Sequence, residues 1–62
     1  MKKYIKTLDG LAIVRENIED DYYSVKEYVG DGTIDYLVMS EEEIEECPEV
    51  TEKEFIEYKN SL

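Results

Sequence analysis

Acidic side chains dominate the residues of this sequence that could do chemistry. Six carboxylates fall between positions 41 and 49, and a second acidic group precedes two adjacent tyrosines. The residues concerned are Glu41, Glu42, Glu43, Glu45, Glu46 and Glu49, and then Glu19, Asp20 and Asp21 beside Tyr22 and Tyr23. Carboxylates four residues apart on a helix, or two apart on a strand, lie roughly 5–7 Å from one another. That spacing is similar to the spacing of successive backbone phosphates, so such a row is suited to a basic groove that accepts nucleic acid.

Both groups also allow simpler interpretations. The carboxylates could form a solvated surface that only keeps a small protein soluble. The tyrosines could pack in the core and across strands. As surface residues, Tyr22 and Tyr23 would instead offer large rigid contact areas beside acids, a combination suited to an Arg-rich partner. The sequence leaves these alternatives open.

Composition argues against enzymatic chemistry. The chain has no His, so its Ser residues and the single Cys47 lack the usual histidine base. Paired carboxylates act as general acid and base only when a pocket raises the pKa of one of them, and these acids occur in exposed-looking runs. Zinc sites built from Cys and His are excluded on the same composition. We therefore predict a protein that is not an enzyme and that holds no metal or cofactor.

The segment Gly30–Tyr36 resembles the middle of an EF-hand calcium loop. Asp31 and Gly32 would occupy loop positions 5 and 6. However, Val29 and Val38 stand at positions 3 and 12, where the loop needs oxygen ligands. We therefore predict a β-turn in this segment, with Asp and Gly in their usual turn roles.

Charge is divided unevenly along the chain. Residues 1–15 carry four basic side chains and one acid, a balance of 4 − 1 = +3, whereas residues 16–62 carry three lysines and 16 acids, a balance of 3 − 16 = −13. The two parts sum to the formal net charge of −10. A field of that sign repels nucleic acids and anionic membranes and attracts basic surfaces. The predicted partner is a basic protein, with no direct contact to nucleic acid or membrane.

Size bounds the architecture. A chain of 62 residues makes one domain, spanning 1–62, and a chain this short buries only about 60% of its unfolded surface. The hydrophobic content of 42% and the six Tyr favour a folded chain over a disordered one. Because one Cys cannot form an internal disulfide, oligomerisation is an open source of further stability. The lone Cys and the shortness of the longest apolar run, Leu11–Val14, favour a cytoplasmic protein.

Strands are predicted for most of the first 39 residues. Tyr4–Leu8 and Leu11–Glu16 should form a hairpin through a type I′ turn at Asp9-Gly10. The basic residues fall on this hairpin, which we expect at a sheet edge, where lysines discourage aggregation. A further strand is predicted at 33–39, after a turn at 30–32.

One stretch fits two structures. Residues 22–29 are rich in aromatic and β-branched residues, which favours a strand, with Tyr23, Val25 and Val29 on one face. A helical stripe is also present, with Asn17 as a possible N-cap and Gly30 as a possible end. The stripe consists of Ile18, Tyr22, Val25 and Val29.

Two helices are predicted from their starting signals. Thr51 with Glu54, and Ser40 with Glu43, each match a capping box, in which the N-cap and N3 residues exchange hydrogen bonds. Pro48 limits the first helix to about two turns. The second helix, near 52–61, should pack on the sheet through Phe55, Ile56, Tyr58 and Leu62. The sequence thus predicts an α+β domain with a small antiparallel β-sheet and a C-terminal α-helix.

In general character the chain resembles the small acidic inhibitors that bacteriophages encode against host defence, such as anti-CRISPR and anti-restriction proteins. The features that carry the resemblance are the acidic segments 19–21 and 41–49 on a single small domain. The resemblance implies a non-enzymatic protein that inhibits or masks a basic, nucleic-acid-binding partner in the host cytoplasm. The alternative is a structural module or homo-oligomer subunit. Its apolar interface would use Ile13, Val14, Leu37 or Phe55.

Overall fold

Five antiparallel strands and two short helices form the computed structural model, which describes residues 2–62. The elements are β1 (Lys3–Lys6), β2 (Gly10–Glu19), β3 (Tyr22–Val29), β4 (Ile34–Ser40), α1 (Glu41–Glu46), β5 (Glu49–Val50) and α2 (Glu52–Asn60). The strands lie in one sheet in the order β4-β3-β2-β1-β5. The predicted α+β class, with an antiparallel sheet and a C-terminal helix, is confirmed. The two-residue strand β5 was not predicted.

The core lies on the sheet face that α1 covers, here called the α1 face. Ile44 of α1 is 1% exposed and packs on buried side chains from three strands, whose alternation places them on one face. These side chains are Ile5, Ala12, Val14 and Val25. Ile44 is the single buried residue of α1, so this helix is held to the sheet chiefly by one side chain.

The second helix packs on the opposite face, here called the α2 face. Phe55 is 4% exposed, and its ring centroid lies 4.9 Å from that of Tyr4 and 5.4 Å from that of Tyr28. The Tyr58 hydroxyl donates to the Tyr28 carbonyl oxygen at 2.9 Å. The predicted packing of Phe55 and Tyr58 is therefore confirmed. The prediction is wrong for Ile56 and Leu62, which are 44% and 47% exposed. Ile56 is rotated by about 100° around the helix from Phe55, and Leu62 lies beyond the last helical residue, Asn60.

The ambiguous stretch is extended and not helical. β2 continues through two irregularities to Glu19, and β3 pairs with both β2 and β4, so its backbone groups are satisfied by neighbouring strands. Asn17 does not cap a helix: its side-chain amide donates to the carbonyl oxygens of Asp20 at 2.9 Å and Tyr22 at 3.0 Å, which closes the hairpin. Asp20 has a φ of 48°, a left-handed conformation that Asp tolerates better than most residues.

The β1–β2 connection differs from the predicted type I′ turn. Neither Asp9 nor Gly10 has a positive φ. Thr7 instead closes the turn through both its backbone and its side chain. The Thr7 N–H donates to the Gly10 carbonyl at 2.9 Å, and the Gly10 N–H donates to the Thr7 hydroxyl at 3.1 Å. Position 10 requires glycine for a different reason. A Cβ there would lie 2.1 Å from the Tyr28 carbonyl oxygen and 2.5 Å from the Tyr58 hydroxyl.

We expect Gly10→Ala to destabilise the protein by about 1–3 kcal/mol, because the backbone of β3 must shift to admit the methyl group. Gly30→Ala is the matched control, since the nearest atom to a Cβ at Gly30 is 3.8 Å away. Urea unfolding of the two variants measures the difference. Equal midpoints for Gly10→Ala and the unchanged protein would contradict the close approach of β2, β3 and Tyr58.

The position of the basic hairpin in the sheet also differs from the prediction. β1 lies between β2 and β5, so the lysine-bearing hairpin is not the sheet edge, and the long edge strand is β4. The predicted self-association residues are only partly available: Val14 is fully buried and Phe55 is 4% exposed, so both belong to the interior. Ile13 is half-buried, and Leu37 is 36% exposed on β4.

Candidate functional site

The two acidic segments of the sequence meet at one end of the sheet. Tyr22 at the start of β3 pairs with Ser40 at the end of β4, so the turn before β3 lies beside the helix that follows β4. The Glu41 N–H donates to the Asp21 carbonyl oxygen at 2.7 Å, which joins the two segments directly. We call this surface the acidic end. It comprises Glu19, Asp20, Asp21, Glu41, Glu42, Glu43, Glu45 and Glu46, all of them exposed.

Glu43 has a structural role within the acidic end. Its carboxylate accepts the Ser40 N–H at 2.9 Å, and the Ser40 hydroxyl accepts the Glu43 N–H at 3.2 Å, which confirms the predicted capping box. The hydrogen bond from the Ser40 backbone lowers the pKa of Glu43. Thr51 and Glu54 form the same arrangement at the start of α2, and the Thr51 backbone likewise lowers the pKa of Glu54. The two boxes fix where each helix begins.

The lowered pKa of Glu43 predicts how its contribution to stability changes with pH. Because the pKa is lower in the folded chain than in the unfolded chain, the contribution is present above the ordinary Glu value of 4.5 and is lost as pH falls through the folded value. We expect Glu43→Gln to be less stable than the charge-matched control Glu42→Gln at neutral pH. The difference should vanish in acid, as measured by urea unfolding across a pH series. A difference that is independent of pH would contradict the role of the charged cap.

The other predicted site residues are placed differently. Tyr22 is 47% exposed beside the acidic end, whereas Tyr23 packs against the core and is only partly accessible. Glu49 lies on β5, paired with Ile5 at the far edge of the sheet from β4. Tyr22 therefore borders the acidic end, whereas Glu49 lies on the edge strand β5, beyond the C-terminal end of α1.

A groove of about 700 Å³ lies on the α1 face, between the β1–β2 turn, β4 and α1. Its acidic lining residues are Asp9, Glu27, Asp35, Glu43 and Glu46. Glu27 is 5% exposed, and its carboxylate accepts the Thr7 hydroxyl at 2.5 Å. Glu27 and Asp35 are cross-strand partners, so two carboxylates face the groove from adjacent strands. Carboxylates therefore extend from the acidic end along the α1 face beside β4.

Sequence reasoning identified Glu43 and Glu46 but missed the groove carboxylates Asp9, Glu27 and Asp35. The alternation that places Val25 and Val29 on one face also places Glu27 on that face, and this signal could have identified it. The pairing of Asp35 with Glu27 depends on the register of β3 with β4, which local patterns do not reveal.

The turn between β3 and β4 contains one further acid, Asp31, whose carboxylate stabilises the turn. The Asp31 carboxylate accepts the Thr33 N–H at 2.9 Å, and hydrogen bonding from Thr33 lowers the pKa of Asp31. Gly32 has a φ of 92°, which only glycine adopts readily. The Gly32 N–H donates to the Val29 carbonyl oxygen at 2.9 Å, which closes the predicted β-turn. Within residues 2–62, no group of three Cys, Asp or Glu side chains is arranged to hold a metal ion.

The opposite face of the sheet carries a cation between aromatic rings. The Lys26 Nζ lies 5.3 Å from the Tyr28 ring centroid and 5.8 Å from that of Tyr36. Hydrogen bonding to Tyr28 raises the pKa of Lys26. Carboxylates line the α1 face beside β4, whereas the α2 face beside β4 presents aromatic and aliphatic side chains around one lysine.

Comparison with protein families, with curated proteins and with solved structures found no match to this chain. None of the helices in the described part of the chain is long and apolar enough to cross a membrane.

Proposed function

We propose that this protein is a non-enzymatic inhibitor that binds a basic, nucleic-acid-binding protein in the cytoplasm through its acidic end and thereby excludes nucleic acid from it. The observation that carries the proposal is the meeting of the two acidic segments. The Glu41 N–H bonds to the Asp21 carbonyl oxygen at 2.7 Å, so carboxylates 20 residues apart in the chain share one surface.

Electrostatics supports this use of the surface. A chain with a net charge of −10 attracts basic partners from a distance, and the concentration of acids at one end orients the encounter. The acids also sit on ordered backbone. The hairpin turn is closed by the Asn17 amide, and α1 is fixed by its capping box. Less conformational entropy is lost on binding when charged groups are held in position beforehand.

Tyr22 supplies a contact of a different kind. Its ring is 47% exposed and borders the acidic end, and aromatic residues beside charged groups are frequent anchors in protein interfaces. We assign Tyr22 the role of anchor, and the carboxylates of the turn and of α1 the role of phosphate substitutes. The resemblance to small acidic phage inhibitors is consistent with this division.

Affinity capture from host-cell lysate tests the proposal. The immobilised protein should retain a basic nucleic-acid-binding protein at low salt and release it at high salt, because contacts between exposed charges are screened. Added double-stranded DNA or RNA should prevent capture of the same protein. Retention of a partner that resists both salt and nucleic acid would overturn the proposal.

A further inference from the structure

The edge strand β4 is apolar and has no neighbour on its outer side. Four of its seven residues are large hydrophobic side chains with substantial exposure, and its only charged residue is Asp35. The exposed fractions are 44% for Ile34, 71% for Tyr36, 36% for Leu37 and 63% for Val38. Edge strands are usually protected by lysines, prolines or bulges, because their free N–H and C=O groups accept another strand. β4 contains neither lysine nor proline, and its pairing with β3 is regular throughout.

The register shows which backbone groups are free. The Val29 N–H donates to the Thr33 carbonyl oxygen, and the Glu41 N–H donates to the Asp21 carbonyl oxygen. Val29 with Thr33, and Asp21 with Glu41, are therefore hydrogen-bonded cross-strand pairs. Because hydrogen-bonded and non-hydrogen-bonded pairs alternate, Ile34, Tyr36 and Val38 belong to non-bonded pairs. Their N–H and C=O groups therefore point away from β3. Ser40 follows the same rule, and its outward N–H is used by the Glu43 carboxylate.

Charge decides what can occupy this edge. Antiparallel pairing of two β4 strands would place the Asp31 and Asp35 end of one copy beside the α1 glutamates of the other. It would also join two chains that each carry a net charge of −10. The exposed acids that line the groove on the α1 face, Asp35, Glu43 and Glu46, add to the negative charge that an arriving strand would meet. A second copy is opposed by these charges, and a basic segment is favoured by them.

We propose that the β4 edge accepts an extended basic segment of the protein's partner as a sixth strand of the sheet. This inference rests on the proposed function, since it assigns the mode by which the same basic partner is held. Strand addition obtains affinity from main-chain hydrogen bonds and specificity from alternate side chains.

The two faces of β4 specify the pattern of that segment. Asp35, Leu37 and Met39 lie on the α1 face, so Lys or Arg side chains of the added strand on that face reach Asp35 and the groove. Tyr36 and Val38 lie on the α2 face, where β-branched or aromatic residues of the added strand pack against them. The preferred segment therefore alternates basic and apolar residues.

A blocked octapeptide of alternating lysine and valine is the direct probe. Its addition should shift the backbone amide signals of β4 in NMR spectra and slow the exchange of the Tyr36 and Val38 N–H groups. Octapeptides of alternating glutamate and valine, and of alternating lysine and glycine, are the matched controls for charge and for strand propensity. Both controls should bind more weakly than the lysine–valine peptide.

Val38→Pro removes an outward N–H without removing a bond to β3, and proline is tolerated at such edge positions. We expect it to weaken peptide binding by about tenfold or more, whereas Val38→Thr, which keeps the N–H and the β-branch, should bind within about twofold of the unchanged protein. If Val38→Pro perturbs the fold, the amide-exchange measurement on the unchanged protein decides instead.

Three outcomes would overturn strand addition. The lysine–valine peptide could leave the Tyr36 and Val38 amides unaffected and shift only those of the acidic end, which would leave the proposed function intact. It could bind Val38→Pro and the unchanged protein equally. Sedimentation could show a dimer, and hydrogen exchange could show that the Tyr36 and Val38 amides are protected in it without peptide. These two results together would assign the edge to a second copy. Failure of the proposed function is recognised separately, by capture that nucleic acid does not prevent.

Discussion

Replacing Phe55 by alanine is expected to remove more than half of the protein's free energy of unfolding. The loss of a buried Phe costs about 3–5 kcal/mol. A chain of 62 residues has a total stability of roughly 3–9 kcal/mol, at about 0.05–0.15 kcal/mol per residue. Phe55 is the one buried side chain of α2 and joins the rings of Tyr4 and Tyr28, so its removal detaches the helix from the sheet.

The neighbouring residue provides the control for this prediction. Ile56→Ala removes a large apolar side chain from the same helix, but that side chain is 44% exposed, and we expect a cost of about 0.5 kcal/mol. Thermal unfolding followed by circular dichroism compares the two variants. Similar midpoints for Phe55→Ala and Ile56→Ala would show that α2 is not held to the sheet by Phe55.

Replacing Glu42, Glu45 and Glu46 together by glutamine is expected to weaken partner binding by about 3- to 150-fold. The three residues are exposed on α1, and ion pairs between exposed groups contribute about 0.2–1 kcal/mol each. The substitution also removes two repulsive pairs four residues apart, Glu41 with Glu45 and Glu42 with Glu46. Their loss offsets that of the favourable Glu42 charge in the first turn of α1, so we expect the stability to stay close to that of the unchanged protein. Weaker binding by this variant therefore cannot be attributed to unfolding.

A second triple variant separates position from net charge. Glu49, Glu52 and Glu57 lie outside the acidic end, and their replacement by glutamine changes the net charge by the same three units. We expect its affinity for the captured partner to fall by less than about threefold, chiefly through slower association. Equal losses for the two triple variants, measured by titration calorimetry, would show that only the net charge matters. An unchanged affinity of the α1 variant would favour the view that the acids serve solubility.

Local signals in the sequence predicted the helices well. Each capping box joins residues three apart, so Ser40 with Glu43 and Thr51 with Glu54 identify a helix start without knowledge of the fold. The stretch 18–29 was ambiguous because its apolar residues satisfy both periods. Pairing with β4 decides its structure, and that pairing is formed by residues 6 to 18 positions away in the chain.

The candidate site was predictable in composition but not in arrangement. Both acidic segments were visible, yet their meeting depends on the pairing of Tyr22 with Ser40, which sets α1 beside the hairpin turn. The free edge at β4 was not predicted because strand order is a long-range property. The lysines of β1 suggested an edge there, whereas β5 covers that strand.

Displacement by nucleic acid tests the central claim most directly. The purified partner is titrated into the labelled protein to form the complex, and double-stranded DNA is then added while fluorescence anisotropy is recorded. If the acidic end occupies the nucleic-acid-binding surface of the partner, DNA releases the labelled protein, and release becomes easier for the Glu42, Glu45 and Glu46 variant. If DNA binds the partner and the anisotropy of the labelled protein stays at its bound value, the two ligands occupy different surfaces and the account is contradicted.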